Sequence, residues 1–184
     1  MLWLWILIAV VVILAIVFFS YFNRFARLGN RIDNSLSQID VQLKRRADLI
    51  PNLIEAVKGF MKHEKAAIKA VTDARKALVS AKDLPGKVKA DKGLESALKT
   101  IFAIAEGYPD LKANTNFLQL QGELTTTEDK VAYSRQFYND SILAYNNLCK
   151  TFPGNFFAGV YGKKAGEYIK IAEAEKKPVK VKFD

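Results

Sequence analysis

The stretch QLKRRADLIPNL, residues 42–53, sets Lys44, Arg45 and Arg46 in succession and adds Asp48 before a proline-containing apolar run. Farther along, Arg135, Asn139 and Asn146 share one face of a helical pattern at spacings i, i+4 and i+11. Arg46 falls on a row of otherwise apolar residues. A guanidinium there needs a partner, because removing one member of a buried ion pair costs about 3–5 kcal/mol. Asp48, Glu106, Glu123 and Asp140 are the candidate partners. Two chemistries suit the group Arg46, Asp48, Arg135, Asn139 and Asn146: a polar knot that fixes the register of packed helices, or a pocket for an anionic group.

Catalytic chemistry finds little support in the same residues. His63 precedes Glu64, but Ala67 stands where a zinc protease needs its second histidine. One histidine and one cysteine, Cys149, exclude the usual structural zinc sites and a Glu-x-x-His di-iron pair. No glycine-rich phosphate loop is present. The reading is therefore of a chain with no cofactor, no metal and no catalytic activity. The positive balance, +9, does not indicate nucleic-acid binding. The aromatics lie on apolar stripes or beside glycines, without the basic-aromatic alternation of a stacking platform.

Long helices must position these residues. Leu36, Leu43, Ile50, Val57, Val71 and Leu78 form one seven-residue row, and Ile32, Ile39, Leu53, Phe60, Ala67 and Ala74 form its partner. Pro51 falls inside both rows. Either a kinked continuous helix or a tight turn near Ala47 to Pro51 satisfies the pattern, with Asp48 as N-cap of a new helix in the second case. DLPGK closes the pattern as a turn near Leu84, and Leu94, Leu98, Ile101 and Ala105 stripe the next helix. After EGYPD, Leu111, Phe117, Leu118 and Leu120 carry a helix to Gly122. TTTEDK then reads as a fresh N-terminus capped by Thr125 or Thr126, opening a last helix over 128–150. FPGNFFAGVYGKKAG reads as a break in regular structure, followed by a helical turn or two around residues 167–176 and an extended basic end, PVKVKF.

The N-terminus is more legible still. Every residue from Leu2 to Phe19 is apolar, and Ser20, Tyr21 and Phe22 follow before any charge. Such a helix covers about 27 Å, close to the hydrocarbon thickness of a bilayer. A cleaved signal peptide would need a basic leading region and small residues at a cleavage site, and neither is found. Arg24, Arg27 and Arg31 follow the span, which places the body on the cytosolic side of the cell membrane.

SLSQIDVQLKRRADLIPNLIEAVKGFMKHE, AEGYPDLKANTNFLQLQGEL, TEDKVAYSRQFYNDSILAYN and the closing KVKF together resemble the LemA family of bacterial membrane proteins, in order and over nearly the whole body. The resemblance implies an all-α fold in which an N-terminal transmembrane helix precedes an antiparallel four-helix up-and-down bundle. It also favours a sharp helix break at Pro51. The expected division is an anchor at 1–22, a bundle at 23–150, and a glycine-rich loop, short helix and basic tail at 151–184. The expected role is a single-pass scaffold whose partners are the lipid bilayer and another membrane protein, with no nucleic acid and with self-association left open. The alternatives are an enzyme or accessory subunit of a membrane enzyme that uses the Arg-Asn-Tyr face, and a bundle that binds anionic lipid.

Overall fold

The computed structural model describes residues 1–169. Their regular structure is entirely helical: α1 (Leu2–Lys58), α2 (Lys65–Ser80), α3 (Leu84–Ala105), α4 (Pro109–Lys112), α5 (Thr115–Lys150) and α6 (Gly154–Val160). They form two compact units, residues 36–135 and a second unit made of 1–35 with 136–169. The segment 170–184, with the expected PVKVKF extension, lies outside the described residues.

Within the unit 36–135, contacts give the helix directions. Asp40 meets Lys87 and Arg46 meets Asp91, so α1 and α3 run the same way. Phe117 of α5 packs on Phe102 while Arg135 reaches back to Asp91, so α5 opposes α3. Joined to its neighbours by the short turns at 59–64 and 81–83, α2 returns between α1 and α3. The result is an antiparallel four-helix arrangement whose core holds Ile39, Leu43, Ile50, Leu53, Val57, Val71, Leu78, Leu94, Leu98, Ile101, Leu124 and Val131. Most of these are the predicted heptad and stripe positions, because a helix face recurring every seven residues keeps pointing at its neighbours.

Three local expectations need correction. The first is the break at Pro51: α1 continues through it to Lys58, and the chain turns instead at 59–64, where Phe60 is exposed and His63 lies in the turn. Proline removes the N–H that would bond to the carbonyl four residues back, which here belongs to Ala47. That carbonyl instead accepts a 2.8 Å hydrogen bond from Arg75 Nε of α2. A neighbouring helix thus satisfies the group that the proline leaves free.

The second is the N-terminus expected at TTTEDK, for α5 runs unbroken from Thr115 to Lys150. The hydroxyls of Thr125, Thr126 and Thr127 donate to the carbonyls of Gln121, Gly122 and Leu124, turning back onto their own helix rather than capping a new one. The true start is capped upstream, where Asn114 Oδ1 accepts from the Phe117 N–H at 3.1 Å.

The third is the glycine-rich stretch, which contains α6. Gly154 is required there, since a Cβ would lie 2.2 Å from the Leu148 carbonyl oxygen. Gly162, at φ 63°, ends the helix as Lys163 N–H bonds to the Ala158 carbonyl at 2.8 Å. In the second unit, Phe25, Leu148 and Ala158 form a core with Tyr21, Tyr145, Phe157 and Tyr161 around it.

If Arg75 compensates for Pro51, Arg75→Met costs about 1–3 kcal/mol, the usual loss when a buried acceptor is orphaned. In a Pro51→Ala background the restored N–H serves Ala47, and the same replacement costs measurably less. Chemical denaturation of the four proteins checks this, and equal losses in both backgrounds would disprove the link.

Candidate functional site

The polar residues singled out by spacing separate into two groups. In the unit 36–135, Arg46 is only 1% exposed, although a guanidinium on an apolar row is costly to desolvate. Its Nη1 donates to Asp91 Oδ1 at 2.8 Å and its Nη2 to Glu128 Oε2 at 3.0 Å. Arg135 Nη2 binds the other oxygen of Asp91. One carboxylate, itself 1% exposed, is therefore shared by guanidiniums from α1 and α5 while it projects from α3. The Nε atoms of Arg46 and Arg135 and Gln42 Oε1 are buried without a protein partner.

These partners differ from those expected. Asp48 is exposed and lines an open groove of about 360 Å³ together with Asp40, Arg75 and Lys87. Glu123 binds Arg45, not Arg46, at 2.8 Å across the exposed surface. Glu106 and Asp140 make no bond to Arg46. Heptad phase places Arg46 on the inner face and Asp48 two residues away on the outer one, so a neighbour in sequence cannot follow it inward. Asp91 escaped notice although its spacing marks it: it stands three residues before Leu94 and seven before Leu98, on the same stripe. Glu128, four residues after Leu124, borders the α5 stripe in the same way.

Asn139 and Asn146 belong to the other unit and do different work. Asn146 Nδ2 donates to the Gly166 carbonyl at 2.9 Å and its Oδ1 accepts from Gly166 N–H at 2.7 Å. Asn139 repeats this with Ile169, at 3.1 and 2.9 Å. Seven helical residues rise about 10.5 Å and three extended residues span about 10 Å, so two amides on one helix match points three residues apart on an extended segment. Tyr138 O–H adds a bond to the Glu167 carbonyl at 3.1 Å. The expected single cluster is thus corrected to an ionic knot and a backbone clamp.

Electrostatically the knot is not uniformly favourable. The Glu128 carboxyl is held above its ordinary 4.5, because burial penalises its charge and Glu95 and Asp91 repel it, which together outweigh the Arg46 guanidinium. Burial pushes Glu95 up as well, but its hydrogen bond to Lys99 and the charges of Lys99, Arg46 and Arg135 together hold it below its ordinary value. Every charged member of the knot is engaged by an opposite charge, and the site presents no nucleophile beside a base. Among the described residues, no three of His, Cys, Asp and Glu converge on a common point.

Asp91→Leu strands two buried guanidiniums, and the expected loss is about 3–5 kcal/mol or failure to fold, read by thermal unfolding. Glu128 behaves oppositely. A carboxyl raised in the folded state binds its proton more tightly there than in the unfolded chain. Its contribution is present below 4.5 and is lost as pH rises through the raised value. Glu128→Gln therefore matches or exceeds the parent in stability at pH 7 and flattens that part of the stability–pH curve. The change is small, since its side chain is 40% exposed and solvent screens it.

Comparison with known proteins gives this architecture relatives. The model of the LemA family matches residues 35–183. Magnetosome protein MamQ 2 of Paramagnetospirillum magneticum is 24% identical, over 86% of this chain and 68% of its own length. Magnetosome protein MamQ of Magnetospirillum gryphiswaldense is 25% identical over the same shares. Protein LemA of Metamycoplasma hominis is 27% identical over 74% of this chain and 63% of its own length. The matched region takes in the four-helix unit with its ionic knot and the asparagine clamp, and the chain belongs to the LemA family.

Proposed function

We propose that this chain is a membrane-anchored helical scaffold whose bundle holds another membrane protein by its outer surface. The observation that carries the reading is the first part of α1. It is long and apolar enough to cross a membrane, with a mean hydropathy of 3.2 in its most apolar stretch, and no other helix among the described residues is. Leu2, Trp3, Trp5, Ile13, Leu14 and Phe19 all stand exposed. That much apolar surface calls for a non-aqueous neighbour. On this reading residues 1–22 are the anchor, with the span from Leu2 to Phe19 and Phe22 at its end. Residues 23–150 carry the bundle and 151–184 a further segment. The arginines after the span favour a cytosolic bundle at the cell membrane.

The interior supports a structural role for Arg46, Asp91 and Arg135, since their charges are spent on one another. Recognition then falls to outer surfaces, such as the groove of about 690 Å³ lined by Arg45, Asn52, Glu55, Asn116, Gln119 and Glu123. Confinement to a membrane raises the effective concentration of a partner, so a modest contact suffices.

Crosslinking in intact membranes, with a version lacking residues 1–22 as control, tests the proposal. The expected outcome is capture of a membrane protein by the full chain, reduced by Glu55→Lys in the groove and lost in the control. Failure to capture any protein, with turnover of a small molecule by the purified chain, would overturn the scaffold reading.

A further inference from the structure

Between Lys150 and Lys163 the chain carries no charged residue, and α6 lies within this stretch. One face of α6 is covered: Gly154 and Ala158 are buried and Phe157 is half-buried. The opposite face is apolar and bare. On it Phe156 and Val160, spaced at i and i+4, are 64 and 55% exposed, and Phe152, in the turn that leads into α6, is 86% exposed. A soluble surface helix carries polar residues there, so this face is amphipathic in the wrong sense for water.

Its position says what covers it. The Tyr161 hydroxyl donates to the Phe18 carbonyl at 2.6 Å, and the Phe157 ring stacks on Tyr21 at 4.5 Å. Phe18 and Phe22 also pack edge-on against Tyr161. α6 is therefore held beside the end of the apolar run in α1, where Phe19 gives way to Tyr21 and then to Arg24. At that level a spanning helix passes from acyl chains to headgroups, the zone that aromatic side chains occupy. Lys150, Lys163 and Lys164 flank the apolar stretch, placed to meet anionic headgroups.

We propose that α6 is a second membrane contact, an interfacial helix that, with the turn leading into it, seats Phe152, Phe156 and Val160 at the headgroup–acyl boundary of the leaflet at the end of the span. The occupant of the bare face is lipid, because Phe157 and Tyr161 hold α6 at the level where the exposed apolar surface of α1 ends. The inference rests on the anchored reading above and adds that the chain touches the bilayer at a point distant in sequence from its anchor. Interfacial helices of this kind enter about 5–10 Å into the boundary region.

The test uses the full chain with Cys149→Ser, reconstituted in phosphatidylcholine–phosphatidylglycerol vesicles. A single environment-sensitive fluorophore is attached through Phe156→Cys, Val160→Cys, Leu14→Cys or Lys69→Cys. The positions on α6 are already exposed, so labelling leaves the packing intact, and two of them guard against a local fault in one. The expected result is blue-shifted emission at Phe156 and Val160, weaker iodide quenching than at Lys69, and quenching by nitroxides near the headgroup. The Leu14 label responds instead to nitroxides deep in the acyl chains. Iodide access at Phe156 and Val160 equal to that at Lys69, with Leu14 in lipid, overturns the inference and leaves the anchor standing. Iodide access at Leu14 as well overturns both. Shielding from iodide without response to lipid nitroxides means that a second copy or another protein covers α6, and this too overturns the inference.

Discussion

The four-helix unit depends on a single carboxylate placed where water does not reach. Asp91 projects from α3 into the core and is bound by Arg46 of α1 and Arg135 of α5, so three helices are tied at one level. Apolar side chains alone would tolerate a shift of one helical turn, since another apolar residue arrives at the same place. A shift here would leave two guanidiniums buried and unpaired, a cost of about 3–5 kcal/mol for breaking such a pair. The knot is better understood as a penalty on wrong registers than as a source of net stability. Even at the partly exposed edge of the knot, the pairing of Glu128 with Arg46 does not offset the lost hydration, so its carboxyl stays raised.

Period-seven rows recovered much of the core because burial follows helix phase, and helix phase is written in one strand of sequence. Ile39, Leu43, Ile50, Leu53 and Val57 lie inside for that reason, as does Arg46. The partner of Arg46 was not legible in the same way. Which carboxylate it meets depends on the relative height of α1, α3 and α5, a quantity that no single helix encodes. Asp91, inside the lysine-rich segment 87–92, also resembles a solvated face until its spacing from Leu94 and Leu98 is counted.

Local rules misled where distant groups intervene. Proline within a helix signals a break because it orphans a carbonyl, yet the Ala47 carbonyl is served by Arg75 from another helix. Threonines before acidic residues signal a cap because their hydroxyls seek nearby backbone groups. In α5 they find carbonyls behind them instead of N–H groups ahead. The glycine-rich stretch follows the same logic. Gly154 is there for the close approach to Leu148 and Gly162 to end α6, while the residues between them are helical.

The arrangement of polar groups bears on function as much as on fold. A catalytic cleft keeps some acceptors and donors unspent so that a substrate can take them. Here the carboxylates of the knot are bonded to guanidiniums, and the two asparagine amides on α5 are bonded to the chain's own backbone at Gly166 and Ile169. Inside, only single atoms such as Arg46 Nε, Arg135 Nε and Gln42 Oε1 stay unpaired, whereas whole surfaces are open outside: apolar surface along the first part of α1 and on α6, and the polar grooves beside Arg45 and Asp48. On the scaffold reading proposed above, the charges of the knot serve the fold, adhesion falls to the outer surfaces, and the chemistry of those surfaces divides the task. The apolar part suits lipid, and the polar grooves suit a protein partner whose charges complement Arg45, Glu55 and Glu123.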